Sequence, residues 1–313
     1  MKEIKQKGKL TIHSSKETIH ETLHSLIHES FQRAINSSGT FYIALSGGSL
    51  PSFLTTLPQS FVDANIDPQW DRWHILLADE RLVPSNHVDS NLSAVRKSFL
   101  DATSVQIPKE QIYGINEQLF GNGGGDDNDD NDTMNDIDLV ASDYQSKVFD
   151  GRLKHRDSTT VDTEYYLIDC ALLGFGPDGH TCSLFPNHPL SLQQDQNNML
   201  VAGISDSPKL PPKRITLTFK ALNEFTRDVI FVGAGGSKSD VLRSIFHRVS
   251  KNRVDNDREH IIEKSISYNV QLNENNVYPC GMIRPKSNSL HYITDKEATT
   301  WINRNQRFTS AML

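Results

Sequence analysis

Cysteine is scarce: Cys170, Cys182 and Cys280 are the three in 313 residues, and no two form a C-x-x-C pair. That scarcity excludes a disulfide framework and a zinc ribbon, and it points to a reducing compartment. A long apolar run is missing too, since nothing approaches the roughly 20 residues that a membrane helix requires. The opening MKEIKQKGKLTIHSSKE has lysines with no apolar stretch behind them, and Glu3 precedes the first arginine, Arg33. Neither a secretory signal nor a transit peptide is expected. Basic excess is also absent. The formal charge of −7 traces to residues 121–138, GNGGGDDNDDNDTMNDID, where seven aspartates stand without lysine, arginine or glutamate. The remainder of the chain is balanced, which argues against a strongly basic nucleic-acid face. The expectation is a cytosolic protein, with the nucleus as a second location, that uses neither a membrane nor direct nucleic-acid binding.

What is present reads as strands alternating with helices. LTIHSS is a short strand candidate; from Lys16, the residues Ile19, Leu23, Leu26, Ile27, Ser30 and Ala34 fall at helical spacing until Ser38-Gly39. FYIAL (41–45), WHILLA (73–78), YYLIDCALLG (165–174), VIFVGAG (229–235) and LHYIT (290–294) are apolar strand candidates, and RITLTFKAL (214–222) alternates at its start. Helices are expected near Pro51, from Asn91 to Leu100, after residue 235, and over KEATTWINRN at the end. Strand, glycine turn, helix, repeated, predicts an α/β fold: a three-layer sandwich around a Rossmann-like, mostly parallel sheet, in a single domain over 1–313. Two segments interrupt it. The acidic tract at 121–138 is expected to be a disordered insertion, because it cannot bury enough apolar surface to order itself. It is similar to a calcium loop, but Asn131 takes the glycine position and the closing glutamate is missing. Residues 250–276 read as a second, variable segment.

In such sheets, ligands sit in the loops at the carboxyl ends of the strands. ALSGGSLP (44–51) is one such loop. Adjacent glycines let backbone N–H groups approach an anion, Ser46 and Ser49 add hydroxyls, and the following helix start supplies positive potential. A plain tight turn is the alternative. ADERLVPSNHVDSN (78–91) clusters Asp79, Glu80 and Arg81; Arg81 suits a phosphate, unless the three form a surface ion pair. FVGAGGSKSDVL (231–242) resembles a Walker loop, but Ser237 stands where the glycine before the lysine belongs, which disfavours an ATPase. Lys238 still suits a phosphate. Lys213 and Arg214 open the strand of SPKLPPKRITLT.

LLGFGPDGHTCSLFP (172–186) fits G-x-G-x-x-G through Gly174, Gly176 and Gly179. A dinucleotide site needs a long helix after the last glycine, and Pro177, Pro186 and Pro189 leave no room for one. No cofactor is expected. What is left is an Asp-Gly turn that sets His180 at a strand end with Asp178 near enough to orient the ring, as a general base requires. His20, His24 and His28 share one helix stripe, yet nothing is spaced to complete a metal site; they are expected on the surface, with no metal.

Taken in order, LSGGSLP, ADERLVPSNHVDSN, LLGFGPDGHTCSLFP, SPKLPPKRITLT, FVGAGGSKSDVL and the late PCGMIRP…LHYITDKEA resemble the 6-phosphogluconolactonase family, hydrolases of the pentose phosphate pathway related to glucosamine-6-phosphate deaminase. The resemblance implies a three-layer α/β fold, no nucleotide, and hydrolysis of 6-phospho-D-glucono-1,5-lactone. It implies His180 as the base that activates water and Asp178 as its partner. Ser46, Gly47, Gly48, Ser49, Arg81 and Lys238, with Arg214, would hold the phosphate, and Asp79 the sugar hydroxyls. The deaminase branch carries a glutamate five residues after this histidine, where Phe185 stands here, so that branch fits less well. A fungal branch of lactonase-like proteins, lengthened by polar inserts and associated with tRNA handling, is similar in its inserts. It makes a non-catalytic role, in tRNA handling or partner binding, the alternative.

Overall fold

Apolar runs that end in glycine or a charged residue become strands, and their order along the sheet decides where the loops meet. The computed structural model describes residues 7–120, 133–153, 166–192, 199–251 and 264–302. In chain order, β1 (Lys7–His13) leads into α1 (Ile19–Ser38), followed by β2 (Phe41–Leu45), β3 (Trp73–Leu77), β4 (Asp79–Arg81) and β5 (Ile168–Gly174). The rest are β6 (Val201–Ile204), β7 (Arg214–Leu217), β8 (Thr226–Val232), β9 (Phe246–Lys251), β10 (Ser265–Leu272) and β11 (Ser289–Asp295). Eight of these form one sheet in the order β3-β2-β5-β8-β11-β1-β10-β9. The pairs from β3 through β1 are parallel; β10 and β9 close the sheet antiparallel. This is the α/β fold with a mostly parallel central sheet that the alternation predicts. β4, β7 and β6 form a small antiparallel sheet of their own.

The parallel strands are buried runs of β-branched and leucine side chains, as a sheet covered on its faces requires. α1 presents Ile19, Leu23, Ile27, Phe31 and Ala34 to β2, β5 and β11, and Gly39 ends it with φ 74°. The left-handed angle explains the glycine. Phe31 stacks on Trp73 at 5.5 Å, and Phe41, Phe61 and Trp70 meet the same indole, which pins α1 over the β2–β3 edge.

Several expectations need correction. His24 and His28 are not surface residues: they are 3% and 9% exposed, because the 50–60 segment folds over α1 and supplies partners. His24 Nε2 lies 2.8 Å from the Phe53 carbonyl and His28 Nε2 lies 3.0 Å from Ser60 Oγ. His20 is half-buried against the His24 ring. The acidic tract is shorter than 121–138, since its last positions start the helix Thr133–Gln145. Residues 121–132 lie outside the described residues. The segment 250–276 contains β10, an interior strand hydrogen-bonded on both sides; its polar alternation hid it, and 252–263 lie outside the described residues. After the SGGS loop the chain makes a 3₁₀ turn, Leu50–Leu54, before the helix Leu57–Asp63. The 91–100 helix is α-helical to Val95 and a π turn from Arg96 to Leu100. The closing helix is a 3₁₀ turn, Glu297–Thr299, and residues from 303 onward lie outside the described residues.

Burial of His24 has a thermodynamic consequence. Burial pushes its pKa down to about 4, against the pull of the Phe53 carbonyl, and burial likewise holds His74 and His291 at about 4. A histidine depressed in the folded state binds fewer protons there than in the unfolded chain. Its contribution is therefore intact above the unfolded value of about 6.5 and is lost as pH falls toward 4. Calorimetry is expected to give a Tm at pH 4.5 about 5 °C or more below that at pH 7. In His24→Gln the drop between the two pH values should be smaller; an equal drop contradicts a buried neutral ring.

Candidate active site

β2 delivers the first loop. Ser46 N donates to the Leu172 carbonyl at 3.0 Å, so the β2–β5 ladder runs one residue into the loop and then stops. Beyond it, the amides of Gly47, Gly48 and Ser49 carry no hydrogen bond among the described residues. Gly48 has φ 68°, and a Cβ on Gly47 would run into the Asn91 amide. Glycine at 47 is thus dictated by the close approach of the next loop.

That loop follows β3 through β4. Strand alternation sends Glu80 to one side, and Asp79 and Arg81 to the other. Glu80, 2% exposed, accepts from the Asn91 and Leu92 amides at 2.7 and 2.9 Å and from Ser90 Oγ at 3.0 Å, which fastens the start of the Asn91–Val95 helix. Asp79 is buried as well, with Ser183 Oγ donating at 2.8 Å and Asn91 Nδ2 at 3.2 Å. Arg81 donates from Nη1 to the Asp89 carbonyl at 2.7 Å, while its Nε has no partner among the described residues. These three form no surface ion pair: Asp79 and Arg81 line a cleft, and Glu80, on the other side of the strand, holds the Asn91–Val95 helix start.

β5 ends in the third loop, a tight turn closed by Gly179 N to the Gly176 carbonyl and Gly176 N to the His180 carbonyl at 3.0 and 2.9 Å. Gly179 has φ 80°, and a Cβ on Gly176 would occupy the space that Asp178 and His180 fill. His180 Nδ1 is 2.5 Å from Asp178 Oδ1, so Nδ1–H donates and the carboxylate, which only accepts, receives the hydrogen bond. Nε2 carries no hydrogen bond among the described residues. The ring stacks on buried Phe185, centroids 5.0 Å apart. Burial, helped by the Lys209 charge, pushes the imidazole pKa below its ordinary value against the hydrogen bond and charge of Asp178. Asp178 is held down to about 2: burial opposes its charge, and the hydrogen bond and charge of His180, with the Lys209 ammonium, overcome that opposition. The arrangement is a neutral imidazole with one nitrogen anchored and the other available, the requirement for a general base.

β8 ends in the fourth loop. Buried Asp295 accepts Gly235 N through both carboxylate oxygens at 3.0 Å and Ala298 N at 3.1 Å, fixing the turn that presents Lys238. Lys238 Nζ lies 5.6 Å from the Phe175 ring centroid. Burial, then the nearby Lys209 charge, lowers its pKa. Arg214, 2% exposed, donates from Nε to the Pro211 carbonyl and from Nη2 to those of Lys209 and Leu210. Most of its guanidinium thus shapes the 209–211 loop. Only Nη1, 3.4 Å from Ser183 Oγ, is loosely held.

These loops border one cleft of about 350 Å³, which Ser46, Gly47, Gly48, Ser49, Asp79, Arg81, Arg214, Lys238 and His180 all line. Asp178 stands behind His180. Cys182 also lines it, but burial pushes its thiol up, so it is no thiolate nucleophile at neutral pH. The sequence reading missed Lys209, whose Nζ is 3.0 Å from His180 Nδ1 and 3.2 Å from Asp178 Oδ2. Its one local sign was a lysine in a proline-rich strand approach. Among the described residues, no three His, Cys, Asp or Glu side chains cluster as metal ligands do, and no helix is long and apolar enough to cross a membrane.

A family model described as glucosamine-6-phosphate isomerases/6-phosphogluconolactonase matches residues 14–291. The chain belongs to this family. Human 6-phosphogluconolactonase is 35% identical over 250 residues, covering 78% of this chain and 84% of that protein. A probable chloroplastic 6-phosphogluconolactonase 3 from Oryza sativa subsp. indica is 34% identical over 238 residues, 76% of this chain; the chain spans 65% of that relative's length. The solved 6-phosphogluconolactonase from Trypanosoma cruzi shares the fold, with a TM-score of 0.67 and 21% identity over 95% of this chain and 98% of that one.

Proposed function

We propose that this chain hydrolyses 6-phospho-D-glucono-1,5-lactone to 6-phospho-D-gluconate, a step of the oxidative pentose phosphate pathway. One observation carries the reading: His180, tied at Nδ1 to Asp178 and open at Nε2, shares a 350 Å³ cleft with an amide-rich loop, Arg81 and Lys238. That volume suits one phosphorylated sugar. Its phosphate lies against the 47–49 amides, Arg81 and Lys238, with Nη1 of Arg214 as a further donor. Asp79 accepts from sugar hydroxyls. His180 Nε2 takes a proton from water as its oxygen attacks the lactone carbonyl. The tetrahedral oxyanion then collapses, the C1–ring oxygen bond breaks, and the imidazolium returns its proton to that oxygen. Asp178 keeps the ring in the Nδ1–H tautomer and stabilises its charged form.

Phe185 favours hydrolysis over the deaminase chemistry of the same family. It is 2% exposed and packed flat on the imidazole, so the place of the deaminase carboxylate holds an apolar ring with no proton to give. Three free, buried cysteines suit the reducing compartment in which we place the enzyme. The test mixes purified protein with freshly generated 6-phosphogluconolactone and follows 6-phosphogluconate, with glucosamine 6-phosphate as the control. Acceleration on the lactone alone is expected. Spontaneous-rate hydrolysis would refute the reading and favour the non-catalytic alternative, whereas turnover of the amino sugar would move the chain to the deaminase branch.

A further inference from the structure

We propose that Lys209 is a positioning residue that keeps the His180 imidazole neutral and the Asp178 carboxylate turned toward it, an inference that rests on reading His180 as the base. The ammonium sits at the corner of the pair, 3.2 Å from Asp178 Oδ2 and 3.0 Å from His180 Nδ1. The second distance is not a hydrogen bond in the working tautomer, because the Nδ1 proton already goes to Asp178 Oδ1 and a lysine ammonium has nothing to accept with. It is a like-charge contact waiting to happen. Whenever His180 gains a proton, two cations stand about 3 Å apart around one carboxylate.

The loop is built to hold that position. Ser207 Oγ accepts from Lys209 N at 3.2 Å and donates to the Lys209 carbonyl at 3.0 Å, and Ser207 N donates to the Pro212 carbonyl at 3.2 Å. Buried Arg214 clamps the same turn from below through the carbonyls of residues 209, 210 and 211. A lysine serving only as a floating phosphate contact needs no such fastening. The two oxygens of Asp178 are divided between the two partners, Oδ1 to the imidazole and Oδ2 to the ammonium. Lys209 therefore restrains carboxylate rotation while drawing off part of the negative charge that would otherwise favour imidazolium.

The charged groups facing the ring come from three elements: Asp178 on its own turn, Lys209 on the loop before β7, and Asp79 on β4. Arg214 stands off the Phe185 ring by 5.8 Å, and Lys238 acts on Lys209 and Asp178 from the loop after β8. With Lys209 removed, both nearest remaining charges, Asp178 and Asp79, favour the protonated ring. The sign is unambiguous: loss of the ammonium raises the proton affinity of His180.

The experiment titrates the His180 ring by NMR in the wild type, Lys209→Met and Lys209→Arg, and measures kcat and KM against pH on the lactone. In Lys209→Met the ring is expected to bind protons about tenfold more tightly, with the acid limb of kcat moving up by the same roughly one pH unit. Lys209→Arg, which keeps the charge, should leave both near wild type. High salt should shrink the difference, since the ammonium is partly exposed. An unmoved His180 titration in Lys209→Met overturns the proposal, and a raised KM with an unmoved acid limb shows a substrate contact instead. The titration needs no turnover, so it decides the electrostatic role even in a protein that fails the lactonase assay.

Discussion

His180→Ala is expected to lower kcat about a hundredfold or more on 6-phosphogluconolactone, the range that removal of a general base produces. KM should change little, because the proposed phosphate contacts lie on other loops. Tm should stay close to wild type, since the imidazole borders the cleft and its stacking partner Phe185 stays buried without it. The pH profile of the wild type supplies an independent readout. Burial depresses the His180 pKa, so the ring stays neutral, and kcat stays on its plateau, below the ordinary histidine value of about 6.5. Activity then falls as pH drops through the depressed value. His180→Ala should lose that acid limb along with the rate. Near-normal kcat in the variant, or a wild-type profile that bends above pH 7, would remove His180 from the chemistry.

The second large effect is expected at the other end of the substrate. Arg81→Ala should raise KM about tenfold to a hundredfold with kcat within a few-fold, the loss of one charge-assisted contact to phosphate. The geometry behind this is specific. Arg81 Nη1 is anchored on the Asp89 carbonyl, which aims the guanidinium, while Nε is buried without a partner among the described residues. A buried donor in that condition is costly unless a ligand completes it. Arg81→Lys should recover part of the affinity at most, because an ammonium cannot be anchored and donate through a planar fork at once. Steady-state kinetics at fixed salt decides. An unchanged KM would mean that the phosphate lies elsewhere.

The strands that carry the cleft were readable because each is an apolar run cut off by glycine or by charge: FYIAL before SGG, IDCALLG before FGPDG, VIFV before GAGG. Pattern and position coincide there, since burial demands the run and the ligand loop demands the glycine. β4 was not readable as a strand. Its three residues are Asp79, Glu80 and Arg81, and only pairing with β7, from the other half of the chain, makes them extended. The same holds for His24, whose burial depends on a carbonyl 29 positions away. Lys209 was hidden for a further reason. Its role is set by proximity to Asp178 and His180, and nothing within the proline-rich stretch around it announces that neighbour.

The placement of β1 between β11 and β10 bears on how the chain is made. Thr11 meets Ser267 across 256 positions, so this strand emerges long before either of its neighbours exists. β3, β2, β5 and β8 have their mutual partners much earlier. Assembly of the sheet is thus divided in time, and its last stage is the kind of distant pairing that makes topologically non-local proteins slow to fold. Until β1 is inserted, two bare strand borders stand open to any other extended segment, and the nascent protein is most vulnerable to association at that stage.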